Sequence, residues 1–160
     1  MIKKILLIPV IICIILFLLV AYYEGTKAYW DYRVREMCAI DGGVTVYEKV
    51  NISYELYNLM PKVAGFPVIP LKGYFGKDFP AFFIKNNVTI RKRGPKLIRF
   101  EKIVKKRVDG KTIGKIVSYA RIGGDVPTGL SSVTTYSCPN SIQIYAAENK
   151  FFIIEDRKEK

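Results

Sequence analysis

The chain has 160 residues, 26 Lys and Arg against 14 Asp and Glu, and no histidine, so its formal charge is +12. That length holds one domain and little else. The missing histidine excludes histidine general-base catalysis, Ser-His-Asp and Cys-His nucleophile systems, and nearly all zinc sites.

After Met1-Ile2-Lys3-Lys4 comes ILLIPVIICIILFLLVAYY, residues 5–23, without a charge. As a helix it is roughly 28 Å long, enough to cross a hydrocarbon core. It exceeds the apolar core of a signal peptide, and Leu19-Val20-Ala21 runs into Tyr22, Tyr23 and Glu24 where a cleavage site needs small residues. An uncleaved signal anchor over residues 1–23 is expected. Cys13 follows Ile11 and Ile12, which is wrong for lipidation, so it reads as an apolar residue inside the span. Lys3 and Lys4 have no acid beside them, which points to a cytoplasmic N-terminus and places residues 24–160 outside.

Residues 24–40 continue as a stalk helix, with Ala28, Tyr29, Tyr32, Met37 and Ile40 on one side. Trp30, with Tyr22, Tyr23 and Tyr29, reads as an interfacial aromatic belt. Asp41-Gly42-Gly43 ends the helix, because glycine takes the left-handed conformation that other residues avoid. The run from Val44 to Val50 predicts one strand. Ser53 is placed to cap a short helix over 54–60. Residues 61–82 hold four prolines and three glycines, so no single regular element fits them, yet they are apolar enough to pack over a sheet.

Residues 97–122 predict a hairpin. A two-residue turn at Asp109-Gly110 sets Val108 opposite Lys111, Phe100 opposite Tyr119 and Ile103 opposite Ile116. Ile98, Phe100, Val104, Val108, Ile113, Val117 and Tyr119 then form the apolar face, and Arg99, Glu101, Lys105 and Arg107 the polar one. Further short strands are expected over 131–138, 142–145 and 151–154, with a turn at Glu148-Asn149-Lys150 and a charged tail over 156–160.

Among groups that carry chemistry, the cysteines come first. With Cys13 in the span, Cys38 and Cys138 remain, one near each end of the domain. A pair in an oxidising compartment most often forms a disulfide, here closing a loop of about 100 residues. The alternative is a reactive thiol at Cys38, with Arg35 nearby in sequence. The charge comes second. Residues 85–121 hold thirteen Lys and Arg against Glu101 and Asp109, whereas residues 24–84 are balanced. Either this segment is a solvated hairpin whose lysines guard an edge, or it meets an anionic partner through Arg91, Lys92, Arg93, Lys105, Lys106 and Arg107. No nucleic-acid-binding motif is present, so nucleic acid is not expected as a partner. The carboxylates Asp41, Glu48, Glu55, Asp78, Glu101 and Asp125 form no recognisable acid-base pair, and Asp41 suits the turn that follows it.

The spacing of Arg35, Cys38, Asp41, Gly42, Gly43, Val46, Tyr47 and Glu48, together with Ser137-Cys138 and the N-terminal anchor, resembles small single-span cell-envelope proteins of gammaproteobacteria. That resemblance implies a cell-envelope location and a cysteine pair; with the orientation expected for the span, the location is the bacterial inner membrane and the domain is periplasmic. The resemblance implies no activity.

The expected fold is α+β: a transmembrane helix (1–23), a helical stalk (24–40) and a small, mostly antiparallel sheet domain (41–155). The expected function is a non-enzymatic, membrane-anchored binding or scaffolding protein without cofactor or metal. Its partners would be the inner membrane and an anionic lipid or acidic envelope protein. The alternative is an immunity or inhibitor protein directed against a toxin or wall-degrading enzyme.

Overall fold

An unbroken helix, α1 (Ile2–Asp41), leads into the sheet, so the expected anchor and stalk are one element. The structure is a computed structural model and describes residues 2–69, 79–126 and 133–155. Residues 131 and 132, Asp78 and the tail over 156–160 lie outside the described residues. One helix, α1, is long and apolar enough to cross a membrane. Gly42 donates to the Cys38 carbonyl at 2.8 Å, and Gly43 has φ +115°, a conformation that side chains oppose.

The chain then forms β1 (Gly43–Val46), β2 (Val50–Ser53), α2 (Tyr54–Asn58), β3 (Lys62–Val63), β4 (Phe66–Pro67), β5 (Ala81–Arg91), β6 (Lys96–Lys106), β7 (Thr112–Ile122), β8 (Thr135–Cys138), α3 (Ser141–Glu148), a 3-10 turn (Asn149–Phe151) and β9 (Phe152–Glu155). The main sheet runs β1-β7-β6-β5, with β8 also paired to β7, and all its pairings are antiparallel. The architecture is the expected α+β one: a long apolar helix followed by a mostly antiparallel sheet.

The predicted strand over 44–50 divides. Tyr47 and Glu48 both donate to the Ile113 carbonyl, at 2.8 and 3.1 Å, and the chain leaves the main sheet there. The last residue of the predicted strand, Val50, opens a separate strand, β2, which pairs in parallel with β9. Ser53 caps α2 as expected, accepting from the Leu56 amide at 3.3 Å. Ile69 and Phe79, from the irregular segment, are buried in the core.

The hairpin of β6 and β7 is present, but its register is shifted by one residue. Phe100 lies opposite Ser118, and Ile103 opposite Lys115. A two-residue turn of the expected kind needs positive φ at both central residues. Gly110 has φ +70°, whereas Asp109 is not among the positive-φ residues. The loop therefore takes four residues, closed by Lys106 N–H to the Lys111 carbonyl at 2.8 Å. A second shift, between Val104 and Lys105, leaves Ile113 bulged into the core.

Neither face of the hairpin is the polar one. Val104, Ile116, Phe83, Ile144, Phe151 and Phe152 form one buried cluster beneath α3 and the 3-10 turn. Val34, Cys38, Leu97, Val117 and Tyr119 form another, beneath α1. Val108, expected in the apolar face, is 88 % exposed in the loop. Residues 142–145, expected as a strand, lie in α3. Asn140 accepts from the Gln143 amide while the Gln143 side chain accepts from the Asn140 amide, a reciprocal cap that starts a helix.

The end of α1 runs antiparallel alongside β7. Lys27 meets Asp125 at 3.3 Å, Asp31 meets Arg121 at 2.5 Å, and Asp41 meets Tyr119 at 2.6 Å. The inward side of α1 is Trp30, Val34, Met37 and Cys38, not the side of Tyr29, Tyr32 and Ile40.

Candidate functional site

Three groupings carry chemistry, and the first is the end of α1. Cys38 and Cys138 are bonded, with S–S 2.07 Å and Cα–Cα 5.9 Å. The register shows why the bond lies there. β1 and β8 share one edge of β7: Gly43 pairs Val117 and Cys138 pairs Tyr119. The two short strands meet end to end at Ser118, and the disulfide ties that seam to α1.

Asp41 stands beside the seam. It accepts from the Tyr119 hydroxyl at 2.6 Å and from Arg99 at 3.0 Å, rather than from the turn amides that the sequence favoured. Arg99 also donates to the Tyr119 oxygen at 3.2 Å and pairs with Glu101 at 3.3 Å. The Tyr119 hydroxyl, and after it Arg99, holds the Asp41 carboxyl below its ordinary range. Burial, and then the bond to Asp41, raises the Tyr119 hydroxyl. Arg99 bridges the two carboxylates, Asp41 and Glu101, and the cluster clamps helix to sheet. Among the described residues, no group of three or more His, Cys, Asp or Glu is arranged to hold a metal.

The second grouping is the basic one, and it falls into two parts. Arg91, Lys92 and Arg93 lie where β5 turns into β6. The Arg91 guanidinium stacks 4.3 Å from the Trp30 ring, and its Nε donates to the Arg93 carbonyl at 2.6 Å. A Cβ on Gly124 would meet both Pro95 and Lys27, which places this loop against α1 just beyond its apolar stretch. Lys105, Lys106 and Arg107 lie at the other end of the hairpin. About 26 Å of strand separates Leu97 from Lys105. Lys106 bonds Glu48 at 3.4 Å, and Arg107 donates to the Phe79 carbonyl at 2.8 Å while lying over the Phe82 ring. Lys106 and Arg107 are therefore engaged with their own domain, and Arg91, like Arg107, meets an aromatic ring and a backbone carbonyl and no acid.

The third is a groove on the sheet face away from α1, which the sequence did not reveal. Asn87, Phe100 and Ser118 form one row across β5, β6 and β7, and α3 supplies a wall through Ile144 and Tyr145. It encloses about 290 Å³. The shifted register is what brings Ser118, rather than Tyr119, beside Phe100. With the register first expected, a large ring would occupy this place and no groove would form. No protein-family model, curated protein or solved structure matches this chain.

Proposed function

We propose that this protein is a non-enzymatic, single-span membrane protein whose domain rests on anionic headgroups through the loop between β5 and β6. The observation that carries this reading is Arg91 over Trp30. Trp30 is seven residues past Tyr23, where the apolar stretch ends. At ~1.5 Å per residue that is about 10 Å, at the outer edge of a headgroup layer about 5 to 8 Å deep. The loop 91–96 adds Arg91, Lys92, Arg93 and Lys96 at that height. Each such cation near an anionic surface contributes about 1 kcal/mol. In the proposed orientation the short N-terminal tail is cytoplasmic and the domain periplasmic, in accord with Lys3 and Lys4 ahead of the span.

The test uses the full chain in nanodiscs of mixed anionic and zwitterionic lipid, with retained lipid identified by native mass spectrometry. Anionic lipid is expected to be enriched. Reversal to Glu at Arg91, Lys92 and Arg93 should abolish the enrichment, and reversal at Lys105, Lys106 and Arg107 should leave it. Equal effects of the two triple variants would overturn the reading.

A further inference from the structure

We infer that the groove between the sheet and α3 is a binding site for a small carboxylated sugar. This rests on different residues from the headgroup contact and stands apart from it. The groove is small, at the lower end of ligand-sized cavities, so it takes a ring or two and no long chain. Its width, from Asn87 to Ser118, is two interstrand spacings, about 10 Å.

The lining chemistry selects the ligand. Ser118, Thr135, Ser137 and Ser141 bring hydroxyls from three elements, and Asn87 brings an amide. These side chains both donate and accept, which suits a ligand that is itself hydroxyl-rich. Phe100 and Tyr145 are half-buried, so each offers part of a ring to the apolar face of a sugar. A fatty chain would strand these hydroxyls without water, at a cost for each unpaired polar group.

Charge adds the carboxylate. Lys102 lines the groove but is bound to Glu148 at 2.7 Å. Glu101, the one carboxylate in the lining, is bound to Arg99 at 3.3 Å. Lys85 also lines the groove and is exposed, and among the described residues it has no acidic partner. Lys85 is thus the lining cation without an acidic partner among the described residues, at the β5 end.

The experiment is ligand-observed saturation-transfer NMR on the full chain in nanodiscs. The probes are glucuronate, glucose, acetate and laurate. Glucuronate is expected to bind about fivefold more tightly than glucose, a modest gap because Lys85 is exposed and its charge screened. Lys85→Gln should remove that gap while glucose binding persists. Ser118→Leu, which fills the floor, should weaken both sugars. An intact disulfide and an unchanged melting temperature verify each fold. Absence of transfer to either sugar, preference for laurate, or a gap that survives Lys85→Gln in a folded protein would each overturn the assignment.

Discussion

The hydroxyl of Tyr119 donates a 2.6 Å hydrogen bond to Asp41, joining the last residue of α1 to the middle of β7. The bond links the end of the long helix to the most enclosed strand of the sheet, at the residue paired with Cys138 of the disulfide. Removing the hydroxyl with Tyr119→Phe should cost about 1.5 to 3 kcal/mol, since the acceptor is charged. A double-mutant cycle of Tyr119→Phe and Asp41→Asn, read by denaturant unfolding, should return a coupling energy of at least ~0.5 kcal/mol. Strict additivity would show that Arg99 alone carries the contact.

The disulfide closes a sequence separation of 100 residues. Chain entropy sets an upper value near ~4.7 kcal/mol for such a loop, and measured losses run at about 2 to 5 kcal/mol. Cys38→Ser with Cys138→Ser should destabilise the fold by that much in denaturant unfolding and lower the melting temperature. Amide exchange should then rise first at the seam, residues 117–119, before the interior of β6.

Glu148 is 1 % exposed and accepts from the Ile69 amide at 2.8 Å and from Lys102 at 2.7 Å. Glu148→Ala leaves an amide and an ammonium without their acceptor, and should destabilise by about 3 kcal/mol. Glu148→Gln keeps an acceptor for Ile69 and should cost less. Urea midpoints of the two variants would rank them.

Asp125 accepts from both the amide and the hydroxyl of Thr134, each at 2.8 Å, and from Lys27 at 3.3 Å. The bonds from Thr134, and after them Lys27, lower its carboxyl to about 2. The unfolded value is near ~3.9. A depressed folded value stabilises above the unfolded one and is lost as pH falls through the folded one. Stability should therefore decline from about pH 4 to pH 2, and Asp125→Asn should flatten that part of the acid unfolding curve.

Gly114 has no room for a methyl group. A Cβ there would overlap the Thr45 carbonyl oxygen and the buried ring of Phe151. Neither can yield cheaply, because one is backbone and the other fills the core. Gly114→Ala should cost about 3 kcal/mol, at the upper end for overpacking, measured by thermal unfolding.

The helix, the hairpin and the cysteine pair were legible because each rests on local chemistry: an uncharged run, an Asp-Gly turn, two cysteines left outside the span. The inward side of α1 was not. Lys27 and Asp31 sit on it, and their burial depends on Asp125 and Arg121, about a hundred residues away. Counting apolar residues therefore selects the wrong side. β5 was missed for a related reason. Lys85, Asn86 and Asn87 interrupt its apolar residues because it is an edge strand exposed over most of its length. α3 was misread from its β-branched residues, although Asn140 and Gln143 hold the capping signal. The groove was invisible because a one-residue change of register, set by the turn, decides whether Ser118 or Tyr119 faces it.

The bond between Cys38 and Cys138 also makes the chain a ring with two tails. The whole main sheet, from β1 through β8, lies inside that ring, and α1 up to residue 37 leaves it as one tail. A protease that cuts once anywhere between the two cysteines produces two fragments still covalently attached to α1. Shedding of the domain would need a cut before Cys38, or a cut within the ring together with reduction of the bond. A copy nicked once within the ring would stay in place, and non-reducing gels would show it at full length.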